Sequence, residues 1–517
     1  MSVDTAGLEQ PPVDEEAPEH WPNLLSVLLR TNGWSAWGRF EAQFDSAARR
    51  AAQELANPRL ARVTASKLTF NRWVAGTQHP RGDAATVLEC LLGVSVQELL
   101  APAPSRDVVI ARPPSNASLH TLRTLDAGWQ TSTLLLNAHG FPLGGMWQLH
   151  GRTIFDGTLV PIQIYEAAEV DDLALIGPED QEHLRTFVRP TRRALILAST
   201  AASGGACVSV LDAALGRRHL SRDPGRVLPV PCAYRLDPLT YAILWSAVNV
   251  DDALGEDDHA LAAAERAMCP MLEQDRSAIG GSTFPDLSRV GAAWLGSRLC
   301  LSYSERQLSS APREPTASWS RLRTGEECAM WLLFRSEQTA LAASGDNSGV
   351  AKTSRTRVLC IPKHVLEDTA THLYERILVF LAATAMELNG LTVVLCTDPD
   401  YADVHAFELV PGHSAVVASW SRTEGIWHAE QVVSRPQLLM YAEAIRYAVD
   451  TSTVTGRDHA ARLRSLAEYL QLDWPWLVTR SRELGAAGVA GMLRARSRQV
   501  TFSSLDRALR FLGGLPL

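Results

Sequence analysis

The chain has few cysteines, and the sequence does not group them. Eight cysteines are spread over 517 residues, and no two are close enough to form a CxxC pair. Zinc ribbons and disulfide frameworks both depend on regularly spaced thiols, so we expect neither. Several cysteines lie in apolar runs, as at Cys360 and Cys396, where a reduced thiol behaves as a small hydrophobic side chain. This usage is typical of a reducing cytosol.

Long hydrophobic runs are also missing. The longest apolar helix candidate, residues 377–388, is too short to cross a bilayer. The N-terminus is acidic and rich in proline, whereas a secretory signal begins with basic residues followed by an apolar run. We therefore predict a soluble, cytoplasmic protein that does not bind membranes.

The sequence lacks the common catalytic motifs as well. It contains no HExxH zinc motif, no Gly-x-Ser-x-Gly elbow and no glycine-rich phosphate loop. Pairs of acids do occur, but adjacent side chains on a helix point apart, so we expect solvated or helix-initiating acids. These pairs are Asp171-Asp172, Asp251-Asp252, Asp257-Asp258 and Glu326-Glu327. No catalytic residue, metal site or cofactor is predicted.

Charge is distributed unevenly near the N-terminus. Residues 1–36 carry six acids and one arginine, whereas residues 37–82 carry eight basic residues and three acids. The net charge of the whole chain is −8, so an overall attraction to nucleic acid is excluded. The local excess of positive charge in residues 37–82 is instead what a small DNA-binding module would need.

Length and patterning divide the chain into segments. A chain of 517 residues corresponds to roughly three folded units. We predict an acidic, partly disordered segment at 1–36, a small all-α module at 37–105, an α+β domain at 106–436 and a helical segment with a basic tail at 437–517. The α+β prediction depends on strand-like runs at both ends of 106–436 with helical runs between them. These strand-like runs are 146–149, 160–165, 194–198, 207–211, 357–361, 391–396, 406–409 and 415–420.

One predicted helix of the small module, at about 64–75, has two distinct faces. Advancing 100° per residue places Phe70, Trp73 and Val74 on one apolar side. The opposite side holds the predicted base-contacting residues, which are Thr64, Lys67, Leu68 and Asn71. Asparagine can pair with adenine, lysine can reach guanine acceptors, and an apolar group can touch the thymine methyl. Gly76 can end this helix with a positive φ.

Arginines surround this helix in the sequence. Phosphate contacts set the affinity and register of a DNA-binding protein without reading sequence, and arginine suits them. The predicted phosphate-contacting residues are Arg49, Arg50, Arg59, Arg62, Arg72 and Arg81.

These residues also carry a family resemblance. The segment RWVAGTQHP at 72–80, followed by VLECLLG at 87–93 and Glu98-Leu99, resembles the second half of a Cro/C1-type (XRE) helix-turn-helix domain. The chain is similar more broadly to long regulator-like proteins of actinomycetes, in which segments like 294–297, 325–335 and 472–476 recur. The resemblance implies a helix-turn-helix DNA-binding domain at 37–105. It implies no established activity for the C-terminal region.

We therefore expect a sequence-specific transcriptional regulator that binds double-stranded DNA through residues 37–105. Residues 106–517 would sense a small-molecule effector of unknown class or bind partners, and a homodimer is expected because a single small module gains affinity by pairing. Two alternatives remain open: an enzyme with a helical recruitment module, and a protein-interaction scaffold that docks through the helices after Gln437. A closed pocket with titratable groups would favour the enzyme. An exposed apolar patch on the C-terminal helices would favour the scaffold.

Overall fold

A computed structural model describes most of the chain. It covers residues 23–31, 34, 36–54, 57–92, 96–100, 132–136, 144–149, 154–155, 157–177, 184, 193–202, 205–222, 227–309, 311, 317–320, 325–334, 355–367, 372–419 and 426–517. Internal contacts divide the chain into two units. The first comprises Met1–Pro113 with Leu136–Pro142, and the second comprises Pro114–Leu135 with Leu143–Leu517.

The first unit is helical. Its helices are α1 (Leu24–Thr31), α2 (Trp37–Glu54), α3 (Lys67–Val74), α4 (Asp83–Leu92) and α5 (Val96–Leu99). A short 3-10 turn, Leu60–Arg62, precedes α3. Helix α1 lies within the segment predicted to be acidic and partly disordered, and it packs against α3 and α5. The first unit therefore includes a helix that the sequence pattern did not predict.

Aromatic rings fill the centre of this unit. Phe40 and Phe44 are one turn apart on α2, and both are buried. The ring of Phe40 lies 4.4 Å from that of Phe70, and Phe44 lies 6.1 Å from Trp73. Such tilted aromatic pairs contribute about 0.5–1.5 kcal/mol beyond the area they bury. These contacts hold α3 against α2 and fix which of its faces points outward.

The second unit begins with a seven-stranded sheet. Its strands are β1 (Ser132–Leu136), β2 (Gly144–Leu149), β3 (Thr158–Val170), β4 (Leu173–Ile176), β5 (Leu195–Ala202), β6 (Gly205–Asp212) and β7 (Leu228–Pro231). The order β1-β2-β3-β4-β7 runs across the sheet, and β5 pairs with β3 and β6. Only the β3–β5 pair is described as parallel, with Ile164 opposite Leu197. The long strand β3 is the centre of this sheet.

A second seven-stranded sheet follows. Its strands are β8 (Arg276–Gly280), β9 (Ala317–Ser320), β10 (Arg355–Cys360), β11 (Leu391–Cys396), β12 (Ala406–Val410), β13 (Ser414–Ala418) and β14 (Ile426–Val432). The order is β11-β10-β9-β12-β13-β14-β8. Strands β9, β10 and β11 are parallel to one another, and the other pairs are antiparallel. The sheet is therefore mixed.

Helices pack around both sheets of the second unit. They are α6 (Ala213–Arg222), α7 (Pro238–Leu272), α8 (Arg289–Ser309), α9 (Gly325–Leu333), α10 (Lys363–Glu367), α11 (Leu373–Leu388), α12 (Arg435–Thr451), α13 (His459–Tyr469), α14 (Trp474–Ala487), α15 (Val489–Met492) and α16 (Ser503–Gly513). Helix α7 begins where the Asp237 carboxylate accepts the backbone N–H of Thr240 at 2.9 Å. The C-terminal helices α14 and α16 pack on each other, and α16 packs on α11.

The coarse architecture agrees with the sequence prediction. An N-terminal helical segment, mixed sheets in the middle and helices at the C-terminus make a multidomain protein. All eight predicted strand-like runs contain strands, although residue 420 lies outside the described residues. Among the helical runs predicted between these strands, the structure shows one continuous helix of 35 residues, α7. Within the described ranges, no helix combines the length and apolar character needed to cross a membrane.

The prediction that the acid pairs are solvated or helix-initiating is wrong for two of them. Asp251 and Asp257 lie in the middle of α7 and are buried. Asp257 accepts the backbone N–H of Ser288 at 2.6 Å, and Asp251 accepts backbone N–H groups of a C-terminal segment. Distant backbone donors therefore stabilise these carboxylates. The pair Asp171-Asp172 is exposed in the turn between β3 and β4, as predicted.

Candidate nucleic-acid interface

Helix α3 begins later than the sequence pattern predicted. The hydroxyl of Ser66 accepts the backbone N–H of Thr69 at 3.1 Å and caps the helix, so Lys67 is its first residue. Serine is among the strongest N-caps, and this hydrogen bond satisfies a backbone donor that no carbonyl in the helix can reach. The predicted position of Thr64 on the helical surface is therefore wrong. Thr64 lies exposed in the segment before the cap.

The inner side of α3 is fixed by packing and by one long-range hydrogen bond. Phe70 and Trp73 are buried, as predicted, whereas Val74 is half-buried. The buried side-chain amide of Asn23 donates to the backbone oxygen of Trp73 at 3.0 Å. Asn23 was not among the residues predicted from sequence. Its hydrogen bond ties the start of α1 to the last turn of α3.

The outer side of α3 faces solvent. Lys67, Leu68 and Asn71 are all exposed, and Leu68 is 60% accessible. Because Leu68 is exposed, its side chain adds little buried apolar area to the core of its own unit. The structure therefore brings three of the four predicted base-contacting residues to one surface. That surface carries an amide, an ammonium group and an apolar side chain.

The predicted phosphate-contacting arginines belong to several elements of the same unit. Arg49 is on α2, Arg59 and Arg62 flank the 3-10 turn, Arg72 is on α3 and Arg81 precedes α4, and all five are exposed. Arg50 is half-buried and already interacts within the protein. Among the residues that the structure describes, Arg62, Arg72 and Arg81 form no ion pair. Their charges remain available to an external anion.

A surface cavity of about 490 Å³, open to solvent, lies directly after α3. It is lined by Trp73, Thr77, Gln78, His79, Pro80, Arg81 and Ala84. Gly76, with φ +68°, begins the turn on one side of this cavity, and Gly82, with φ +57°, ends it on the other. The positive φ of Gly76 confirms its predicted role at the end of α3.

The lining of this cavity is rich in hydrogen-bond donors. The indole N–H of Trp73 is buried and has no acceptor among the described residues. The side chains of Gln78 and Arg81 add further donors, which suit an anion such as phosphate, whereas the Thr77 hydroxyl donates to the backbone oxygen of Arg72 at 3.2 Å. The sequence pattern placed Trp73 in the core and gave Thr77 and Gln78 no predicted role. The available signal was a run of polar residues between two glycines.

The second unit contains at least three clusters of buried charges, around Glu387, Arg193 and Arg480, and in each of them other groups of the protein supply the partners. Glu387 accepts Arg462 Nε at 2.8 Å, the Val393 backbone N–H at 2.8 Å, and lies 2.5 Å from His459 Nδ1. Arg193 contacts three aspartates. Such saturated clusters join distant segments of the chain. They give no preference to the enzyme alternative.

Comparison with known proteins adds no assignment. No protein-family model, curated protein or solved structure matches the chain. The choice of a function therefore depends on the geometry and chemistry of the first unit.

Proposed function

We propose that this protein is a sequence-specific DNA-binding regulator that places the outer side of α3 in the major groove of double-stranded DNA. The observation that carries the proposal is the exposure of Lys67, Leu68 and Asn71 on one surface, opposite the buried Phe70 and Trp73. A surface of this kind has no packing role in its own unit. It has the residue types that read base edges.

The three side chains would read different features of the groove. Asn71 would accept and donate simultaneously to adenine, Lys67 would donate to guanine, and Leu68 would contact a thymine methyl group. Thr64 has no place on this helical surface, so we assign it no base. This arrangement agrees with the resemblance to Cro/C1-type (XRE) domains, in which a short helix enters the major groove.

The surrounding arginines would contact the DNA backbone. Arg49, Arg59, Arg62, Arg72 and Arg81 are exposed in the same unit. The exposed Gln78 and Arg81 side chains beside the cavity after α3 would add hydrogen bonds to one phosphate. Contacts of this kind position the helix and make the affinity depend strongly on salt.

The first test uses the full-length protein and DNA fragments recovered with it from its own cells. Asn71→Ala should weaken binding to the recovered site by about 1–3 kcal/mol and leave binding to a random duplex nearly unchanged, because only a base contact is lost. Arg59→Ala should weaken both by a similar factor. Arg217→Ala, which removes an exposed arginine from α6 of the second unit, is the matched control and should change neither. Fluorescence anisotropy would measure each affinity.

Salt dependence provides a second, independent readout. Each phosphate contact contributes about −0.9 to the slope of log K against log salt, so five or six contacts in each first unit predict a slope of about −5. Raising salt from about 50 to 200 mM should then weaken binding roughly a thousandfold. Binding that is insensitive to salt, or the absence of binding to any duplex, would refute the proposed function.

A further inference from the structure

Helix α12 presents apolar side chains to solvent. Leu439 is 61% accessible and Met440 is 56% accessible, and Val433 and Val449 near its two ends are also exposed. Four of the nine exposed large hydrophobic residues in the described part of the chain therefore lie between 433 and 449. Single exposed hydrophobics are ordinary, but this concentration on one helix is typical of an interaction surface.

The orientation of α12 is fixed by its inner face. Leu438, Ala444 and Ala448 are buried against the second sheet, together with the half-buried Tyr441 and Ile445. Rotating the helix to bury Leu439 would expose this inner face. The outward position of Leu439 is therefore part of the folded state.

Charges flank Leu439 in a self-complementary way. Arg435 lies four residues before it and Glu443 four residues after it, so the three share one side of the helix. Arg435 is in the first turn, where the helix dipole disfavours a positive charge, and its side chain forms no ion pair among the described residues. Within the described part of the chain, Glu443 forms an ion pair with the exposed Arg446, 3.2 Å away, on the solvent side of the helix. Both charges are available to a partner.

We propose that α12 of two copies of this chain cross antiparallel at Leu439 and form a homodimer. Leu439 and Met440 would meet their counterparts at the two-fold axis. Arg435 of each copy would lie opposite Glu443 of the other on both sides of this apolar centre. A two-fold interface requires a patch that complements itself, and this patch does.

The charge order favours a second copy of this chain over a different partner. A parallel pairing would place Arg435 against Arg435, whereas the antiparallel pairing places each positive charge against a negative one. An unrelated protein would have to supply the same order of charges around its own apolar centre. A single helix pair is a small interface, so the dimer should be weak and concentration-dependent.

A role for this dimer in regulation rests on the proposed function, because a dimer would bring two first units to one operator. Two half-sites on the same DNA raise the effective concentration of the second unit. The existence of the dimer does not depend on DNA. It can therefore be tested separately.

Sedimentation equilibrium of the full-length protein, from about 1 to 100 µM, should show a monomer–dimer equilibrium. Leu439→Asp should weaken dimerisation at least about tenfold, because it places two carboxylates at the apolar centre. Leu68→Asp is the matched control: Leu68 has the same residue type and nearly the same exposure, 60%. It should leave dimerisation unchanged while weakening DNA binding. Circular dichroism would confirm that both variants remain folded.

A charge reversal tests the antiparallel geometry. Glu443→Arg alone should weaken the dimer, because it faces Arg435 of the other copy, and Arg435→Glu combined with Glu443→Arg should restore it. A protein that remains monomeric at every concentration, or a dimer that Leu439→Asp leaves intact, would overturn the proposal. So would a double variant no better than Glu443→Arg alone. A dimer that binds no duplex would refute the proposed function without contradicting the proposed dimer interface.

Discussion

Arg193 should be among the most important single side chains for the stability of the second unit. It is 4% exposed, and its Nη1 lies 3.0 Å from Asp212 Oδ2. Its Nη2 donates to Asp251 and to the backbone oxygen of Arg494 at 2.9 Å. Asp212 and Asp251 are buried with it. Replacing Arg193 by methionine keeps much of the side-chain volume and leaves two buried carboxylates without their cation.

The size of the effect follows from this burial. Removing one partner of a buried ion pair costs about 3–5 kcal/mol, because the remaining charge is left in a poorly solvating environment. Asp252 provides the contrast, since it lies 3.5 Å from Arg193 Nε and is 23% exposed. Asp252→Asn should therefore cost no more than about 1 kcal/mol. The two substitutions should differ severalfold in the free energy of unfolding.

The effect of Arg193→Met should depend on pH. Burial raises the pKa of Asp251 from 3.8 to about 6, although Arg193 and the backbone N–H groups of Arg496 and Ser497 oppose this rise. A carboxyl whose pKa is raised in the folded state stabilises the fold most below about pH 4, and this contribution is lost as pH rises through about 6. Without Arg193 the carboxyl should take up its proton more readily. The deficit of the variant should therefore be larger at pH 7 than at pH 5.

Hydrogen exchange and urea unfolding of the full-length protein would measure this deficit. Peptides from α7 and β5 should lose protection in Arg193→Met, whereas peptides from α2 and α3 should not change. Arg193→Met combined with Asp251→Asn should recover part of the loss, because one of the unpaired charges is removed. The reasoning is refuted if Arg193→Met is no less stable than Asp252→Asn, or if its deficit is the same at both pH values.

Two further predictions concern aromatic packing and thiol reactivity. Trp73→Ala should unfold the first unit, because removing a core aromatic lowers the free energy of unfolding by about 3–5 kcal/mol. Hydrogen-exchange protection should then be lost in α2 and α3 only. Loss of DNA binding with α2 and α3 still protected would contradict this packing role. Native protein should be alkylated at the exposed Cys269, whereas Cys300 and Cys328 should react only after unfolding. Burial raises the pKa of the Cys300 thiol to about 12 and that of the Cys328 thiol well above its ordinary value. Mass spectrometry of labelled peptides would check this order, which early labelling of Cys300 would contradict.

The candidate interface could largely be predicted from sequence because its determinants are local. The two faces of α3 follow from helical periodicity, and Gly76 follows from the need for a positive φ at the helix end. The start of α3 could not be fixed, since Thr64 and Ser66 both have hydroxyl groups that can cap a helix. Only the structure shows that Ser66 makes the hydrogen bond to Thr69.

Eight of the fourteen strands in the described part of the chain were predicted from local composition, whereas β1, β4, β7, β8, β9 and β14 were missed. The runs of β-branched residues around Val394 and Val416 are strands. Strand β9, Ala317–Ser320, was missed although it lies inside the second sheet between β10 and β12. Its four residues include two serines and an alanine, so its local preference for a strand is weak. Pairing with β10 and β12 determines its conformation, and these pairings cannot be predicted from the residues of β9 alone.

The buried acids and the basic C-terminal segment were each interpreted alone, and they prove to be partners. Asp251 accepts the backbone N–H groups of Arg496 and Ser497 at 2.7–2.9 Å, and Asp258 accepts the hydroxyl of Ser497 at 2.8 Å. About 240 residues separate the two sides of this contact, so neither local pattern could reveal it. The carboxylates interact chiefly with backbone donors and with Arg193. One arginine side chain of the segment also contributes, because Arg496 Nη1 lies 3.2 Å from Asp252 Oδ1, whereas backbone N–H groups make the contacts to Asp251.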